Sequence, residues 1–305
     1  MTQYTRLMGA RTDGLDDRAG APAVGMSAQV RRRVVRTIVC MVAVLAIVSV
    51  RSTTPGAQWL HYPTTGVPRT PEGTPNLDAP APRTADGKPD FSGIWDVEHN
   101  RRCPPDGCQD MPVGQEFINI GWSLKGGLPY LPWAAAITKK RTEELRIEDP
   151  TSFCLPIGIV RLHTMPLLKK MIQAPGLLVI LNEHNAVYRQ IFTDGRPLPV
   201  DPNPSWLGYS SGTWEGDTLV VQTTGFRDGL WLDANGSPMT EGARVTERFH
   251  RVNYGKLEID VTVNDLKAYS APWTVRLNQF IALDTDLLDY ICNENERDAR
   301  HLVGK

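Results

Sequence analysis

The sequence has no apolar run long enough for a membrane-crossing helix. The longest, residues 37–50, has 14 residues, where about 20 are needed. Basic charge is not in excess either: 33 Lys and Arg stand against 34 Asp and Glu, a net charge of −1. That is no electrostatic footprint for nucleic acid, and no nucleic-acid partner is expected. No H-E-x-x-H, EF-hand or P-loop pattern occurs, and there is no C-x2-C pair. The commonest spacings for zinc, calcium or a nucleotide phosphate are therefore missing, and neither a metal nor a cofactor is expected. Asp284-Thr285-Asp286 opens like a calcium loop but has Leu288 where a further ligand would be needed. Apolar residues are not scarce, at 41%, and the 26 Gly and 24 Pro follow no collagen-like period. Disorder throughout and a triple helix are both excluded.

What is present begins with a basic cluster. Arg31, Arg32, Arg33 and Arg36 precede the apolar run, and Pro55-Gly56-Ala57 follows it. A basic segment, a short apolar segment and a small-residue site, in that order, read as an export signal over residues 1–57, with an uncleaved anchor as the alternative. Met26, close ahead of the arginines, competes with Met1 as the start. Residues 1–57 hold 8 Arg and 3 Asp, so the remainder carries 25 basic and 31 acidic side chains, a net charge of −6. The expected location is periplasmic or secreted, with a membrane touched only through the N-terminal segment if that stays uncleaved. Residues 58–90 read as a Pro-rich linker arm. It holds an internal repeat with a 14-residue step: Pro68-Arg69-Thr70-Pro71-Glu72-Gly73-Thr74-Pro75-Asn76-Leu77 is echoed by Pro82-Arg83-Thr84-Ala85-Asp86-Gly87-Lys88-Pro89-Asp90-Phe91. Such sequence favours extended geometry without a core of its own.

Four cysteines lie beyond the signal: Cys103, Cys108, Cys154 and Cys292. An even number in an exported chain suggests two disulfides. The tight loop Cys103-Pro104-Pro105-Asp106-Gly107-Cys108 suits a local bridge, which leaves Cys154 to pair with Cys292. In the chain-entropy model so long a closure adds about 4–5 kcal/mol.

Residues 91–305 read as one β-rich domain with a helical and loop insertion at 99–175. Residues 91–98 form a strand and residues 132–146 a helix, stopped by Asp149-Pro150. From about residue 176 the apolar period switches to two. Strands are expected at 177–182, 186–193, 207–214, 217–224, 244–252, 256–263 and 273–281, with a long loop at 226–242 and a closing helix from Thr285 to about Glu296. About eight strands joined in sequence order close most economically as an antiparallel up-and-down barrel or half-barrel.

Gly93-Ile94-Trp95 on the first strand is similar to the Gly-x-Trp of lipocalin-like barrels, and a C-terminal helix fits the same resemblance. A second resemblance covers nearly the whole chain after the signal. Pro89-Asp90-Phe91-Ser92-Gly93-Ile94-Trp95, Thr193-Asp194-Gly195-Arg196-Pro197-Leu198-Pro199, Gly212-Thr213-Trp214-Glu215-Gly216-Asp217-Thr218-Leu219-Val220-Val221 and Val245-Thr246-Glu247-Arg248-Phe249 carry it. They look like a family of uncharacterised exported proteins from environmental bacteria. That resemblance implies no activity and transfers no catalytic residue. The family tends to have His after the Gly-x-Pro of the long loop, where this chain has Met239.

Gly208-Tyr209-Ser210-Ser211-Gly212 matches the G-x-S-x-G nucleophile elbow in letters. The elbow needs a helix after it, whereas here Trp214, a turn and another strand follow, so small residues packed under aromatics are expected instead. Glu247 is more informative. It shares a strand face with Val245 and Phe249, and the apolar face must point inward. A carboxylate there needs a partner or has a raised pKa. Arg189 or Arg276 would serve as an ion-pair partner, and a ligand-binding or acid/base role is the alternative. Arg189 shares a face with Val187 and Ile191, Tyr188 shares the other with Gln190 and Phe192, and Gln279 interrupts the apolar face of residues 273–281. The loop at 226–242, with Asp228 and Trp231, is long enough to suspect a lid.

The leading expectation is an exported barrel binding a small, partly apolar ligand through Glu247, Arg189, Tyr188, Gln279 and Trp231. The alternatives are an exported hydrolase, lyase or isomerase using Glu247 or Asp228, and a structural envelope protein whose arm meets its partners. The intact mass of the exported protein is expected to lack residues 1–57. A mass that retains residues 31–50 overturns the cleavage reading.

Overall fold

Alternation with a period of two requires a sheet buried on one face. In the computed structural model, which describes residues 62–99 and 115–292, that sheet closes on itself. The ring runs β1 (Gly93–Val97), β2 (Lys169–Ala174), β3 (Leu177–Asn182), β4 (Tyr188–Phe192), β5 (Tyr209–Glu215) and β6 (Thr218–Thr224). Next come β9 (Arg244–Arg251), β10 (Lys256–Asn264) and β11 (Trp273–Ile281), which returns to β1. Between β6 and β9, β7 (Leu230–Trp231) and β8 (Pro238–Met239) pair with each other alone. Three short helices, α1 (Gln115–Ile118), α2 (Pro132–Glu143) and α3 (Ile159–Thr164), lie between β1 and β2.

The β9–β10 hairpin shows why the faces are fixed. Val245, Glu247, Phe249 and Arg251 point inward with Leu257, Ile259, Val261 and Val263, and all eight are buried. A one-residue slip would bury Arg244, Thr246, Arg248 and His250 instead, at far greater cost.

Strand directions put the helices and the 226–242 loop at one end of the barrel and the Pro-rich arm at the other. In the arm, both repeats fold into the same turn. Arg69 bridges Pro75 and Arg83 bridges Pro89, and each guanidinium donates to a glycine carbonyl, Gly73 at 2.7 Å and Gly87 at 2.8 Å. Arg83 also grips Asp217 on the β5–β6 turn, at 2.9 and 2.6 Å. Tyr254 and Gly255 donate their N–H groups to Ala79 and Leu77. A Cβ on Gly255 would lie 2.7 Å from Cβ of Leu77, so this close approach needs glycine. Where the arm enters the barrel, Phe91 is buried and stacks on Trp214 at 5.4 Å. Arg251 lies 4.8 Å from the Trp95 ring and donates to the carbonyls of Asp90, Asn253 and Tyr254.

Four expectations need correction. First, β2 lies within the span read as insertion. Its lysines hide the alternation, because Lys169 points inward and is buried while Ile172 points out. Second, β4 and β5 run parallel, not antiparallel. Third, the 226–242 loop is no lid, since Leu230, Trp231, Leu232, Asp233, Ser237 and Met239 are all buried. Asp233 organises it by accepting from Ile120 N–H at 2.9 Å, Ser237 N–H at 3.0 Å and Ser237 Oγ at 2.7 Å. Fourth, no helix forms over residues 285–292. Glu183 takes the N–H of Leu288 on its side chain and that of Tyr290 on its carbonyl, so the segment lies extended against the β3–β4 turn.

The end of that segment is covalently fixed by the disulfide Cys154–Cys292, with Cα atoms 5.4 Å apart. Cys103 and Cys108 lie outside the described residues, as does the signal reading of residues 1–57. The bridge spans 138 residues, a closure worth about 5 kcal/mol in the chain-entropy model. Replacing both Cys154 and Cys292 by Ser is expected to lower the unfolding free energy by up to that amount in denaturant titrations. A loss under about 1 kcal/mol would show that the unfolded chain gains little freedom when the bridge is cut.

Candidate functional site at the parallel seam

Parallel neighbours need a crossover connection, and residues 193–208 supply it with Pro197, Pro199, Pro202 and Pro204. The β4–β5 ladder is short. Only Ile191↔Ser210 and Phe192↔Ser211 are paired. Before these pairs the two strands part, and a groove of about 860 Å³ opens between them. Tyr188, Phe192, Leu198, Trp206, Leu207 and Tyr209 supply its apolar walls, and Arg189 and Ser210 its polar floor.

Arg189 braces the seam from inside. It leaves β4, donates from Nε to Ser210 Oγ of β5 at 3.2 Å, and from Nη2 to Thr223 Oγ1 of β6 at 3.0 Å. It then reaches Glu247 of β9 with both terminal nitrogens, Nη1 to Oε1 at 2.8 Å and Nη2 to Oε2. Glu247 is 0% exposed. Burial pushes its carboxyl up, but the charge and hydrogen bonds of Arg189 and the bond from His163 outweigh burial and hold it down at about 2.

The second donor to Glu247 comes from α3, whose six residues are all buried. His163 Nε2 lies 2.7 Å from Glu247 Oε1. Burial pushes the His163 pKa down, against the pull of Glu247. A carboxylate can only accept, which places a ring proton on Nε2. The backbone carbonyl of His163 accepts from Gln279 Nε2 at 3.0 Å and from Lys169 Nζ at 3.4 Å. Lys169 also donates to Gln279 Oε1. Burial lowers the Lys169 amine to about 7.

The residues singled out from the sequence therefore separate. Glu247 and Arg189 form one buried pair. Tyr188 stands on the outer face, 63% exposed, as a wall of the groove. Gln279 belongs to the Lys169 network deeper in the barrel. Trp231 is buried in the 226–242 loop under the guanidinium of Arg141, 4.6 Å from its ring, and Asp228 is exposed on that loop. Neither lines the groove. Ser210 has a strand on each side and hydrogen bonds to Arg189 and Thr223, so it is no nucleophile elbow. His163, Thr223, Lys169 and Trp206 are additions. His163 carried a signal: in Ile159-Val160-Arg161-Leu162-His163-Thr164 the polar Arg161 and His163 alternate with apolar residues.

No family model matches the chain, and no curated protein matches it.

Glu247→Gln leaves the Arg189 cation buried without its counter-charge and is expected to cost about 3–5 kcal/mol. Arg189→Met combined with Glu247→Leu should lose less than either single change, because neither charge is then stranded. The pH dependence has a definite sign. A carboxylate lowered from 4.5 to about 2 by folding stabilises fully above pH 4.5 and loses that contribution as pH falls toward 2. Denaturant titrations of wild type and Glu247→Gln at pH 7 and pH 3 test both points. A variant as stable as wild type, with the same acid sensitivity, refutes them.

Proposed function

We propose that this is an exported barrel protein that binds a small, partly apolar ligand in the β4–β5 groove. The groove itself carries the reading: about 860 Å³, open to solvent, with aromatic, leucine and proline walls over the polar floor of Arg189 and Ser210. A few fixed polar groups in an apolar concavity of that size are what a small-molecule site requires. The polar floor is rigid, because Arg189 spends four of its five N–H groups on Ser210, Thr223 and Glu247. Export is supported by the order of basic, apolar and small residues in positions 31–57 and by the Cys154–Cys292 bridge.

The enzyme reading has less support. Glu247 is ionised and saturated by Arg189 and His163, which is the opposite of a carboxylate poised to take up a proton. Asp228 stands outside the groove. The structural reading is weakened too, since the arm is docked on its own barrel through Arg83, Ala79 and Leu77.

Native mass spectrometry of protein purified from the secreting host is expected to show a retained small molecule. Tyr188→Ala should reduce retention by about tenfold, the loss of one aromatic wall at roughly 1.4 kcal/mol, with little change in melting temperature because the side chain is mostly exposed. Retention unchanged in Tyr188→Ala and also in Trp206→Ala would place the ligand elsewhere.

A further inference from the structure

We infer that the ligand of this groove is a short extended peptide with an acidic side chain or acidic end, added to β4 as a further strand. The inference rests on the groove being the binding site, and it begins with the backbone of β4. In an antiparallel pair, hydrogen-bonded residues alternate with residues whose N–H and C=O face the other way. Thr193 N–H donates to Gly176 at 2.8 Å, and Asn182 N–H donates to Val187 at 2.9 Å. With Leu178↔Ile191 and Ile180↔Arg189 in the same register, the odd-numbered residues of β4 face β3. Tyr188, Gln190 and Phe192 therefore turn their N–H and C=O groups toward the seam.

At the seam, β5 meets this edge only from Ile191 onward. The segment before β5 turns away, and Ser205 bridges Phe226 instead. The first β4–β5 pair uses the Gln190 carbonyl, so the N–H and C=O of Tyr188 and the N–H of Gln190 face the groove with no strand paired beside them. An open edge of this kind is a template for another strand. The two existing β4–β5 pairs fix its start, and an added strand continues the same ladder. Three residues of strand span about 10 Å. Alternate side chains would fall against Tyr188 and Tyr209 on the outer side and toward Arg189 and Ser210 on the inner.

The charge of the groove selects the peptide. Its lining includes Arg189 and Arg196 and no carboxylate. Arg189 is neutralised by Glu247 and Arg196 by Asp194, at 2.6 Å. At the rim, Arg227 stacks over the Trp206 ring at 4.2 Å and has no carboxylate partner among the described residues. An acidic group on the ligand supplies one.

The test uses the full chain and three capped probes: Ac-Thr-Val-Asp-Val-Thr-NH2, the same peptide N-methylated on both valines, and the analogue with Lys in place of Asp. Amide hydrogen exchange at Tyr188 and Gln190 is followed, with 1-anilinonaphthalene-8-sulfonate fluorescence as an independent probe of the groove. The first peptide is expected to slow exchange at both amides by about tenfold or more and to displace the dye. N-methylation should abolish the protection by removing strand donors, and Lys for Asp, or Arg227→Gln, should weaken binding severalfold. Dye bound at the groove, lost in Tyr188→Ala, with no peptide slowing the two amides, would overturn the peptide inference and leave the groove reading intact. Equal binding of the N-methylated peptide would overturn strand addition. Neither dye nor peptide affecting these residues would refute the groove as well.

Discussion

Nine strands cannot alternate in direction all the way round a closed ring, so one pair of neighbours must run the same way. That pair is β4 and β5, and much else follows from it. A parallel pair needs a long connection, and the proline-rich crossover at residues 193–208 provides it. The ladder there is two residue pairs long, the weakest join in the wall. Arg189 compensates from within by tying β4 to β5, β6 and β9 through Ser210, Thr223 and Glu247. A buried ion pair is poor evidence of net stability, because desolvation offsets most of the attraction. It is better evidence of registry: only one alignment of four strands satisfies the guanidinium.

The same arrangement explains why the candidate site is in the wall and not in the lumen. Barrels of this size can enclose a ligand. Here α3 fills one end with six buried residues, and Phe91, Trp95 and Arg251 fill the other. Between them stand Val221, Phe249, Ile259 and Val261, all 0% exposed. The groove opens instead where the wall parts. Arg189 and Ser210 are the residues that belong to both the packed interior and the groove.

How far the sequence discloses this depends on how local each signal is. The β9–β10 faces are legible because Val, Leu, Phe and Ile alternate with polar and charged residues, and the carboxylate of Glu247 on the apolar side points directly to an interior partner. Arg189 follows from the same logic. His163 is not legible in that way, because its contact with Glu247 crosses 84 positions of sequence and starts from a helix of six residues. β2 is concealed by Lys169 and Lys170, an inward amine and its outward neighbour. That one omission hides the seam as well, for a ring of eight needs no parallel pair and a ring of nine does. The expected C-terminal helix fails for a different reason. Leu287, Leu288 and Ile291 have helical spacing, but the side chain of Glu183 and the bridge at Cys292 offer the backbone another set of partners, which spacing does not register.

The pairing of β1 with both β2 and β11 ties the first strand of the barrel to the last. Trp95 meets Lys169 on one side and Ile281 on the other. No growing chain can complete that ring until residue 281 has left the ribosome. Contacts of such long sequence separation slow folding, since loop entropy is lost before the contacts repay it. Barrel closure accordingly waits for β11, whereas the two hairpin turns that receive the arm, at Asp217 and at Tyr254 and Gly255, lie ahead of it in the chain.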